Sequence, residues 1–407
     1  MIMKFAHMAD CHIGSWRDPK LRDISTIAFN KAIDICIEEN VDFILISGDL
    51  FNTSLPRIDN LKTVVGTFRQ LKDKNIPVYI IPGSHDYSPS GKTMLDVLEQ
   101  AGLFVNVVKG EEVDGKLKLN FTVDKKTGAK ITGMLGRRYS LEKEYYKNLI
   151  LDNLEKEDGY KIFMFHSGID ELKPEDMQNI ITQPLSLLPK NFNYYAGGHV
   201  HIVKDTKIDG YGLIAYPGPS FPNSFSELEK LETGGFYIVE NNVLKWEPIQ
   251  VYNIFKIIID CNQKNPEQIY DGLVNEIKDK EFNDTIVLIR LFGSLSSGKP
   301  HDLDFKEIFA MLYDKSAYFV MKNTNALTTK EFEEIKIDTK STEDAEAAII
   351  KEHLGQIKLK DLDINKEEAL IKDLMNLLST EKQEGETNPD FEKRVKDEVS
   401  KVLDLEL

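Results

Sequence analysis

The stretch Met3-Lys-Phe-Ala-His-Met-Ala-Asp-Cys-His12 carries a hydrophobic strand directly into an Asp-x-His pair. Four later blocks repeat this arrangement, in which chemistry-bearing side chains follow at the end of a hydrophobic strand. They are Gly48-Asp49 after Phe43–Ser47, Gly83-Ser84-His85-Asp86 after Pro77–Ile81, His166 after Lys161–Phe165, and Gly198-His199-Val200-His201 after Asn193–Ala196. Open α/β sheets gather their ligands at the carboxyl ends of the strands. We therefore expect the five blocks to meet in one crevice.

The donor atoms in these blocks suit divalent transition metals. Five of the chain's eight histidines lie in them, together with aspartates. Carboxylate oxygens and neutral imidazoles favour Mn²⁺, Fe²⁺ or Zn²⁺ over Mg²⁺ and Ca²⁺, which prefer shells made of oxygen alone. Two such ions about 4 Å apart can clamp the attacking and the leaving oxygen of a phosphoester. Five blocks in this order favour a two-metal phosphoesterase over five unrelated histidines at strand ends.

From the composition we expect a cytoplasmic protein with more than one domain. The chain has 407 residues, of which 41% are hydrophobic, and this is enough for two or three domains with cores of their own. Its three cysteines lack metal-ligand spacing and cannot form a disulfide framework, which favours a reducing compartment. The amino terminus has no signal-peptide pattern, and no run of about 18 apolar residues occurs. We expect no association with a membrane.

The net charge of −16 disfavours loose, non-specific binding to DNA. An acidic chain does not coat DNA loosely through salt-dependent contacts with phosphates. Much of the excess acid lies after residue 330, and several acids before it are candidate metal ligands. The charge is therefore compatible with an enzyme that engages a DNA end through metal ions and a local basic rim.

Residues 1–250 are predicted to form one α/β domain. Strand-like and helix-like segments alternate over residues 1–110, which is typical of a mainly parallel sheet with helices on both faces. Short strands then predict a second, more antiparallel sheet packed on the first: Leu117–Val123, Ala129–Leu135, Ile202–Ile208, Leu213–Tyr216, Gly235–Val239 and Val243–Pro248. We expect a four-layer α/β/β/α sandwich.

Three further segments follow this domain. Residues 251–325 alternate strands and helices in a compact α/β unit. Residues 326–364 are acidic with weak periodicity, which is typical of a linker. Residues 365–407 contain two short amphipathic helices, which are marginal alone in water. Their apolar stripes either fold back on the rest of the chain or lie in the groove of a partner.

Taken together, the five blocks, the α/β unit after them and the helical tail resemble the Mre-eleven/SbcD family. These proteins are the nuclease subunits of the DNA double-strand-break repair complex, within the calcineurin-like metallophosphoesterase superfamily, and this chain resembles the archaeal type. The order of the blocks is shared by the whole superfamily. The segments that follow, which the resemblance identifies as a DNA-capping domain and a helix-loop-helix, narrow it to this branch.

The resemblance implies two Mn²⁺ per subunit and a ligand set for each. Asp10, His12 and His201 would bind one ion, and Asp49 would bridge both. The second ion would be held by His166 and His199 together with the residue at position 84.

The resemblance also implies that His85 is the catalytic histidine, which protonates the leaving oxygen or stabilises the transition state. An imidazole that is not a metal ligand suits this role because it titrates near neutral pH. The adjacent Asp86 either orients a neighbouring group of the site or caps the following turn.

Two positions depart from the family's pattern. The third block of the family usually reads Gly-Asn-His, whereas this chain has Ser84 in place of the asparagine. A hydroxyl is a shorter and poorer ligand than an amide carbonyl, so we expect weaker binding of the second ion. The family also often has a histidine after Gly-Asp-Leu-Phe, which is thought to position the substrate, and this chain has Asn52 there.

Contacts with DNA and with partners are predicted at three places. Asn52, Arg137 and Arg138 are candidates for contacts with DNA, single- or double-stranded, although the two arginines fit surface ion pairs equally well. The resemblance implies that the tail binds the SMC-like zinc-hook ATPase Rad-fifty/SbcC. The expected apolar anchors of that interface are Leu374, Leu378, Phe391, Val395 and Val399. The resemblance further implies a homodimer that associates with the nucleoid.

Two other functions compete with a Mn²⁺-dependent DNA nuclease. One is a two-metal phosphoesterase that acts on a small nucleotide or a phosphoprotein, which needs neither a capping domain nor an ATPase-binding tail. The other is a scaffold that kept the fold while Ser84 weakened the site. Only one of the seven expected ligand positions departs from the family's pattern, which favours the nuclease.

Overall fold

The computed structural model describes residues 3–88, 93–137, 141–174, 180–329, 364–380 and 388–403. The chain forms two compact units, Met1–Leu327 and Thr328–Leu407.

The strands of the described chain, in order, are β1 (Lys4–Met8), β2 (Phe43–Ser47), β3 (Val78–Ile81), β4 (Val105–Asn106), β5 (Gly110–Val113), β6 (Lys116–Leu119), β7 (Thr122–Val123), β8 (Lys130–Met134), β9 (Lys161–His166), β10 (Gly168–Ile169), β11 (Thr182–Gln183), β12 (Tyr194–Gly198), β13 (Val203–Ile208), β14 (Gly212–Pro217), β15 (Gly234–Glu240), β16 (Val243–Ile249), β17 (Asn253–Asp260), β18 (Thr285–Leu295) and β19 (Phe319–Thr329). The α-helices are α1 (Ile24–Glu38), α2 (Ile58–Asp73), α3 (Met94–Gln100), α4 (Lys143–Lys147), α5 (Asp152–Glu155), α6 (Phe225–Leu231), α7 (Pro266–Ile277), α8 (Phe305–Asp314), α9 (Ile364–Leu378) and α10 (Asn388–Leu403).

Two six-stranded sheets form the centre of the first unit. Their strand orders are β16-β15-β1-β2-β3-β4 and β13-β14-β12-β9-β8-β7. Each sheet contains three parallel and two antiparallel pairings. The expectation that the second sheet is the more antiparallel one is therefore wrong.

Strands β15 and β16 were also assigned to the wrong sheet. They extend the first sheet, where β15 pairs antiparallel with β1 through Phe5 and Val239. The reason is burial on both faces of β15. Phe236 and Ile238 pack into the core beneath the helices, whereas Tyr237 and Val239 pack between the two sheets.

Alternation of side chains along the strands builds the layers. On β2, Ile44 and Ile46 face the core formed with α1 and α2, and Phe43 and Leu45 face the core between the sheets. On β9, alternate residues face the same inter-sheet core and, on the other side, a core closed by short helices and loops. The predicted four-layer α/β sandwich is confirmed.

One predicted strand is divided. Leu117–Val123 separates into β6, which pairs with β5 in a hairpin, and β7, which forms an edge of the second sheet. The hairpin turns at Asp114 and Gly115, both with positive φ (51° and 72°), as tight two-residue hairpins require.

A three-stranded sheet of order β17-β18-β19 follows, packed with α7 and α8 around its own core. Asn265 caps α7 through a reciprocal pair with Gln268. Tyr252 and Tyr318 stack at 3.9 Å, and the Tyr318 hydroxyl donates to the carbonyl of Lys20, which ties this sheet to the first part of the unit. Strand β19 runs to Thr329, into the segment predicted as a linker, and residues 330–363 of that segment lie outside the described residues.

The second unit contains the predicted pair of helices, and α9 contacts α10. The apolar positions Leu374, Phe391, Val395 and Val399 are half-buried, and Leu378 is 69% exposed. Within the described ranges, no helix is long and apolar enough to cross a membrane.

Candidate metal centre

Loops at the carboxyl ends of β1 and β2 are locked together by their backbones. The amide of Asp10 donates to the carbonyl of Gly48 at 3.1 Å, and the amide of His12 donates to the carbonyl of Asp49 at 2.9 Å. These bonds hold the first two sequence blocks side by side at one edge of the sheet.

Asp86 joins the third block to the second. Its carboxylate is fully buried and accepts hydrogen bonds from the amides of Leu50 (3.2 Å), Phe51 (3.0 Å) and Gly83 (3.1 Å). It therefore holds its own turn and the loop after Asp49. Burial, together with the charge of Asp49, raises the pKa of Asp86 to about 7.

The backbone of the predicted ligands is strained. Five of them have left-handed φ values between 42° and 92°: Asp10, His12, Asp49, His199 and His201. Such residues cost about 1–3 kcal/mol each and persist where the surrounding structure fixes them, typically at functional sites. The loop hydrogen bonds described above provide that constraint.

Two glycines allow the loops to approach each other this closely. A Cβ atom on Gly48 would lie 2.2 Å from Nδ1 of His166, and one on Gly83 would lie 2.2 Å from a carboxylate oxygen of Asp49. Any side chain at either position would displace a predicted ligand.

The side chains converge in three overlapping groups. In each group the ligand atoms lie within 4.8 Å of one another, and the groups are Asp10/His12/His201, His12/Asp49/His85 and Asp10/Asp49/His166. Nε2 of His12 lies 3.0 Å from Nε2 of His201 and 3.6 Å from Oδ2 of Asp49. Nε2 of His166 lies 3.1 Å from the same Asp49 oxygen. This set of buried carboxylates and imidazoles fits divalent first-row transition-metal cations.

Burial and mutual attraction compete in setting the pKa values of these groups. Burial lowers the pKa of His12 and of His199 to about 3. Although burial opposes it, the Asp49 carboxylate raises the pKa of His166 to about 10. In the same way, against burial, Asp10 and Glu227 raise the pKa of His201 to about 9. Without a metal ion, the protons on His166 and His201 therefore balance the charge of the neighbouring carboxylates, and a bound metal cation would replace those protons.

Hydrogen bonds at Nδ1 orient the imidazoles. Nδ1–H of His166 donates to the carbonyl of Ser47 at 2.8 Å, and Nδ1–H of His85 donates to the carbonyl of Asn52 at 2.9 Å. A carbonyl can only accept, so both rings carry the proton on Nδ1. Nε2 of each ring is then left to face the cluster, and for His166 this is the arrangement typical of a metal-binding histidine.

Sequence reasoning missed Glu227, whose Oε1 lies 3.2 Å from Nδ1 of His201. The only signal near it is Ser224-x-x-Glu227, a capping-box pattern that assigns the glutamate to the start of a helix. Ser224 does cap α6. The glutamate carboxylate, however, contacts His201 and accepts from the amide of Asn223.

Ser84 and His199 lie at the margin of the cluster. The buried Ser84 hydroxyl donates to Oδ2 of Asp49 at 3.4 Å. The amide of His199 donates to both carboxylate oxygens of Asp10 at 3.0 Å, and its ring centre is 5.1 Å from that of His166. Among the described residues, His199 belongs to none of the three groups.

Two of the three predicted DNA contacts, Asn52 and Arg137, lie among the described residues. The backbone of Asn52 supports His85, as described above. Arg137 lies between two tyrosines, donating to the hydroxyl of Tyr145 at 2.9 Å and to that of Tyr87 at 3.0 Å. It follows Gly136, where a Cβ would lie 2.5 Å from the ring of His166, so Arg137 is beside the cluster. Arg138 lies outside the described residues.

Comparisons with known proteins agree with this geometry. Residues 3–203 match the family model for the calcineurin-like phosphoesterases. The DNA double-strand break repair protein Mre11 of Saccharolobus solfataricus is 30% identical over 343 residues, which are 78% of this chain and 81% of that protein. The chain belongs to the Mre11 family. It is accordingly a metal-dependent phosphodiesterase, and the expected family resemblance is confirmed.

Other members of the Mre11 family align with the chain over different lengths. The Methanococcus maripaludis protein is 26% identical over 388 residues, which are 92% of this chain and 95% of its own length. The Archaeoglobus fulgidus protein is 29% identical over 278 residues, and that alignment spans 63% of this chain and 62% of its relative. The longer alignment extends far beyond residue 203, so the Mre11 family shares more with this chain than the phosphoesterase region.

Proposed function

We propose that the protein is a Mn²⁺-dependent DNA exonuclease and endonuclease that processes DNA ends in double-strand-break repair, together with the SMC-like ATPase Rad-fifty/SbcC. The observation that carries the proposal is the convergence of Asp10, His12, Asp49, His166 and His201 on one buried cluster, in a chain of the Mre11 family. The relatives are named for DNA double-strand break repair.

In this proposal each half of the cluster holds one ion. Asp10, His12 and His201 would hold the first, and Asp49 lies between the halves, with Nε2 of His12 and of His166 both within 3.6 Å of its Oδ2. The second ion would be held by His166 and His199, with Ser84 as a weak ligand. When bound, two Mn²⁺ supply positive charge to the phosphodiester and lower the pKa of water.

His85 is the proposed catalytic residue. Its amide donates to Oδ1 of Asp49 at 2.7 Å, and its ring lies 4.7 Å from that of His12, so it borders the cluster. Because Nδ1–H is held by the carbonyl of Asn52, Nε2 is the atom that faces the reaction. In the imidazolium form, Nε2–H donates its proton to the leaving oxygen.

Contacts with DNA are proposed around this centre. The guanidinium of Arg137 keeps donors beyond the two that bind tyrosine hydroxyls, and these suit phosphate oxygens. Tyr87 and Tyr145 hold it in place with ring centres 4.9 and 5.6 Å away. Asn52 and Arg138 complete the proposed set.

The remaining segments are assigned by the same proposal. Residues 1–250 form the nuclease domain, residues 251–325 cap the DNA, residues 326–364 are a linker and residues 365–407 bind the ATPase. The half-buried and exposed apolar residues of α9 and α10 are the side chains that such a partner would cover. The protein would act as a homodimer on DNA ends in the nucleoid.

A cleavage assay tests this function. The chain is incubated with Mn²⁺ and linear duplex DNA, hairpin DNA, a cyclic nucleotide or a phosphopeptide, with and without the ATPase. We expect Mn²⁺-dependent cleavage of both DNAs, and loss of cleavage in Asp49→Asn. The matched control is Asp42→Asn at the opposite end of β2, where Asp42 binds the amide of Lys4. Preferred cleavage of the nucleotide or phosphopeptide would establish the first alternative, and no cleavage at all would establish the scaffold.

A further inference from the structure

Helix α6 lies between the metal centre and the three-stranded sheet of residues 251–325. On one side, Oε1 of Glu227 is 3.2 Å from Nδ1 of His201. Oε2 of the same carboxylate accepts from the amide of Asn223 at 2.8 Å, so Glu227 is held at both oxygens. A carboxylate at the distal nitrogen of a ligating imidazole fixes the ring's orientation and raises its basicity.

The other side of α6 is bound to the sheet by ion pairs and hydrogen bonds. Arg290, on β18, donates from Nε and from a terminal nitrogen to the two carboxylate oxygens of Glu229, the latter at 2.6 Å, and lies 5.2 Å from the ring of Phe225. Lys256, on β17, donates to the carbonyl of Glu229 at 3.3 Å and pairs with the carboxylate of Glu232. The Arg290 and Glu229 side chains are only 25% and 20% exposed. A bidentate, partly buried pair of this kind is stronger than an exposed one.

The two contacts are on opposite sides of one short helix. Successive helical residues are about 100° apart, so Glu227 and Glu229 point about 200° from each other. Phe225 and Glu229 are four residues apart and share the face toward the sheet, and Glu232 follows directly after the last residue of the helix. The buried Leu228 anchors the helix in the main core. Displacement of the sheet at Arg290 would therefore move Glu227 with the rest of the helix.

We propose that Glu227 is a positioning residue for the metal ligand His201, and that α6 transmits the position of the 251–325 sheet to the metal centre. The inference rests on the metal site of the proposed function. It assigns to α6 a role in metal affinity that no sequence block indicated.

The first test measures Mn²⁺ binding by titration calorimetry in Glu227→Ala and Glu227→Gln. In the alanine variant we expect about 10- to 100-fold weaker binding at one of the two sites, the usual effect of removing a partner of a ligand. Glutamine should restore part of this affinity because its amide oxygen still accepts the Nδ1 proton. Unchanged affinity in the alanine variant would overturn the positioning role.

The second test is Arg290→Met, which keeps an apolar stem but releases Glu229. We expect weaker Mn²⁺ binding at the same site by about 2- to 30-fold, the range for changes that act on a site without touching it. The double variant Arg290→Met/Glu227→Ala should lose less Mn²⁺-binding free energy than the two single variants lose together, because both substitutions act through one helix. The matched control is Lys280→Met, which removes an ion pair with Glu276 within the same region but away from α6.

Failure of this inference and failure of the proposed function give different results. If the wild-type protein bound no Mn²⁺, the metal site itself would be wrong. If the wild type bound two ions and Arg290→Met bound them equally well, the site would stand and the coupling would be wrong. Thermal unfolding in the presence of a chelator shows whether Arg290→Met is folded. If it is not, Lys256→Met replaces it, because Lys256 on β17 also binds α6 through the Glu229 carbonyl. Unchanged Mn²⁺ binding in Lys256→Met would likewise show that the coupling is wrong.

Discussion

The metal centre and the two terminal helices differ in how far contacts within the chain cover their key side chains. At the metal centre, Asp10, Asp49 and His166 are buried, and each is hydrogen-bonded to a distant segment of the same chain. In α9 and α10, four of the five expected apolar anchors are half-buried, and the fifth, Leu378, is 69% exposed. A site completed within the chain can be tested on the chain alone. Helices with uncovered apolar side chains call for a test with a second protein.

The largest effect that separates the two regions is expected at His85. His85→Gln should reduce DNA cleavage by about 10²- to 10⁴-fold, the usual contribution of a general acid, while Mn²⁺ binding and association with the ATPase stay unchanged. Single-turnover cleavage at saturating Mn²⁺ measures the first effect, and calorimetry measures the second. His301→Gln is the control because that side chain is 75% exposed and lies in the 251–325 region. Near-normal cleavage by His85→Gln would assign proton transfer to another group.

A charge on the terminal helices should have the reverse effect. Leu374→Glu or Phe391→Glu should weaken association with the ATPase by about 30-fold or more, as expected for an apolar anchor at the centre of an interface. Deleting residues 365–407 should abolish the association. Basal Mn²⁺-dependent cleavage should stay unchanged, because every metal block precedes residue 202. The control is Lys393→Glu, which changes the charge at an exposed position of α10. Co-purification of the truncated protein with the ATPase would place the interface elsewhere.

The same contrast explains how much the sequence could predict. The strands before the five blocks were predicted within a few residues because each is a short apolar run that ends at a block containing aspartate or histidine. The sequence could not predict to which sheet β15 belongs, because a strand that is apolar on both faces fits the middle of either sheet. Glu227 escaped notice because it is far from His201 in the chain and meets it only through the packing of α6.

A smaller effect would sharpen the description of the metal centre itself. Ser84→Asn should raise cleavage at limiting Mn²⁺ by about tenfold, the lower end of the effect of a site partner on metal affinity, and leave cleavage at saturating Mn²⁺ unchanged. The reason is that an amide carbonyl reaches further than the hydroxyl, which contacts Asp49 at 3.4 Å. Titration of cleavage against Mn²⁺ in both variants provides the measurement. Identical curves would mean that the serine, or a water that it holds, already ligates well.

The number of Mn²⁺ bound by the purified protein tests the central claim most directly. Titration calorimetry should give two ions per chain, a tighter one that is lost in His201→Ala and a weaker one that is lost in His166→Ala. Asp49→Asn should weaken both, because Asp49 lies within reach of His12 and His166. One ion per chain, or two that Asp49→Asn leaves unaffected, would contradict a shared two-metal centre.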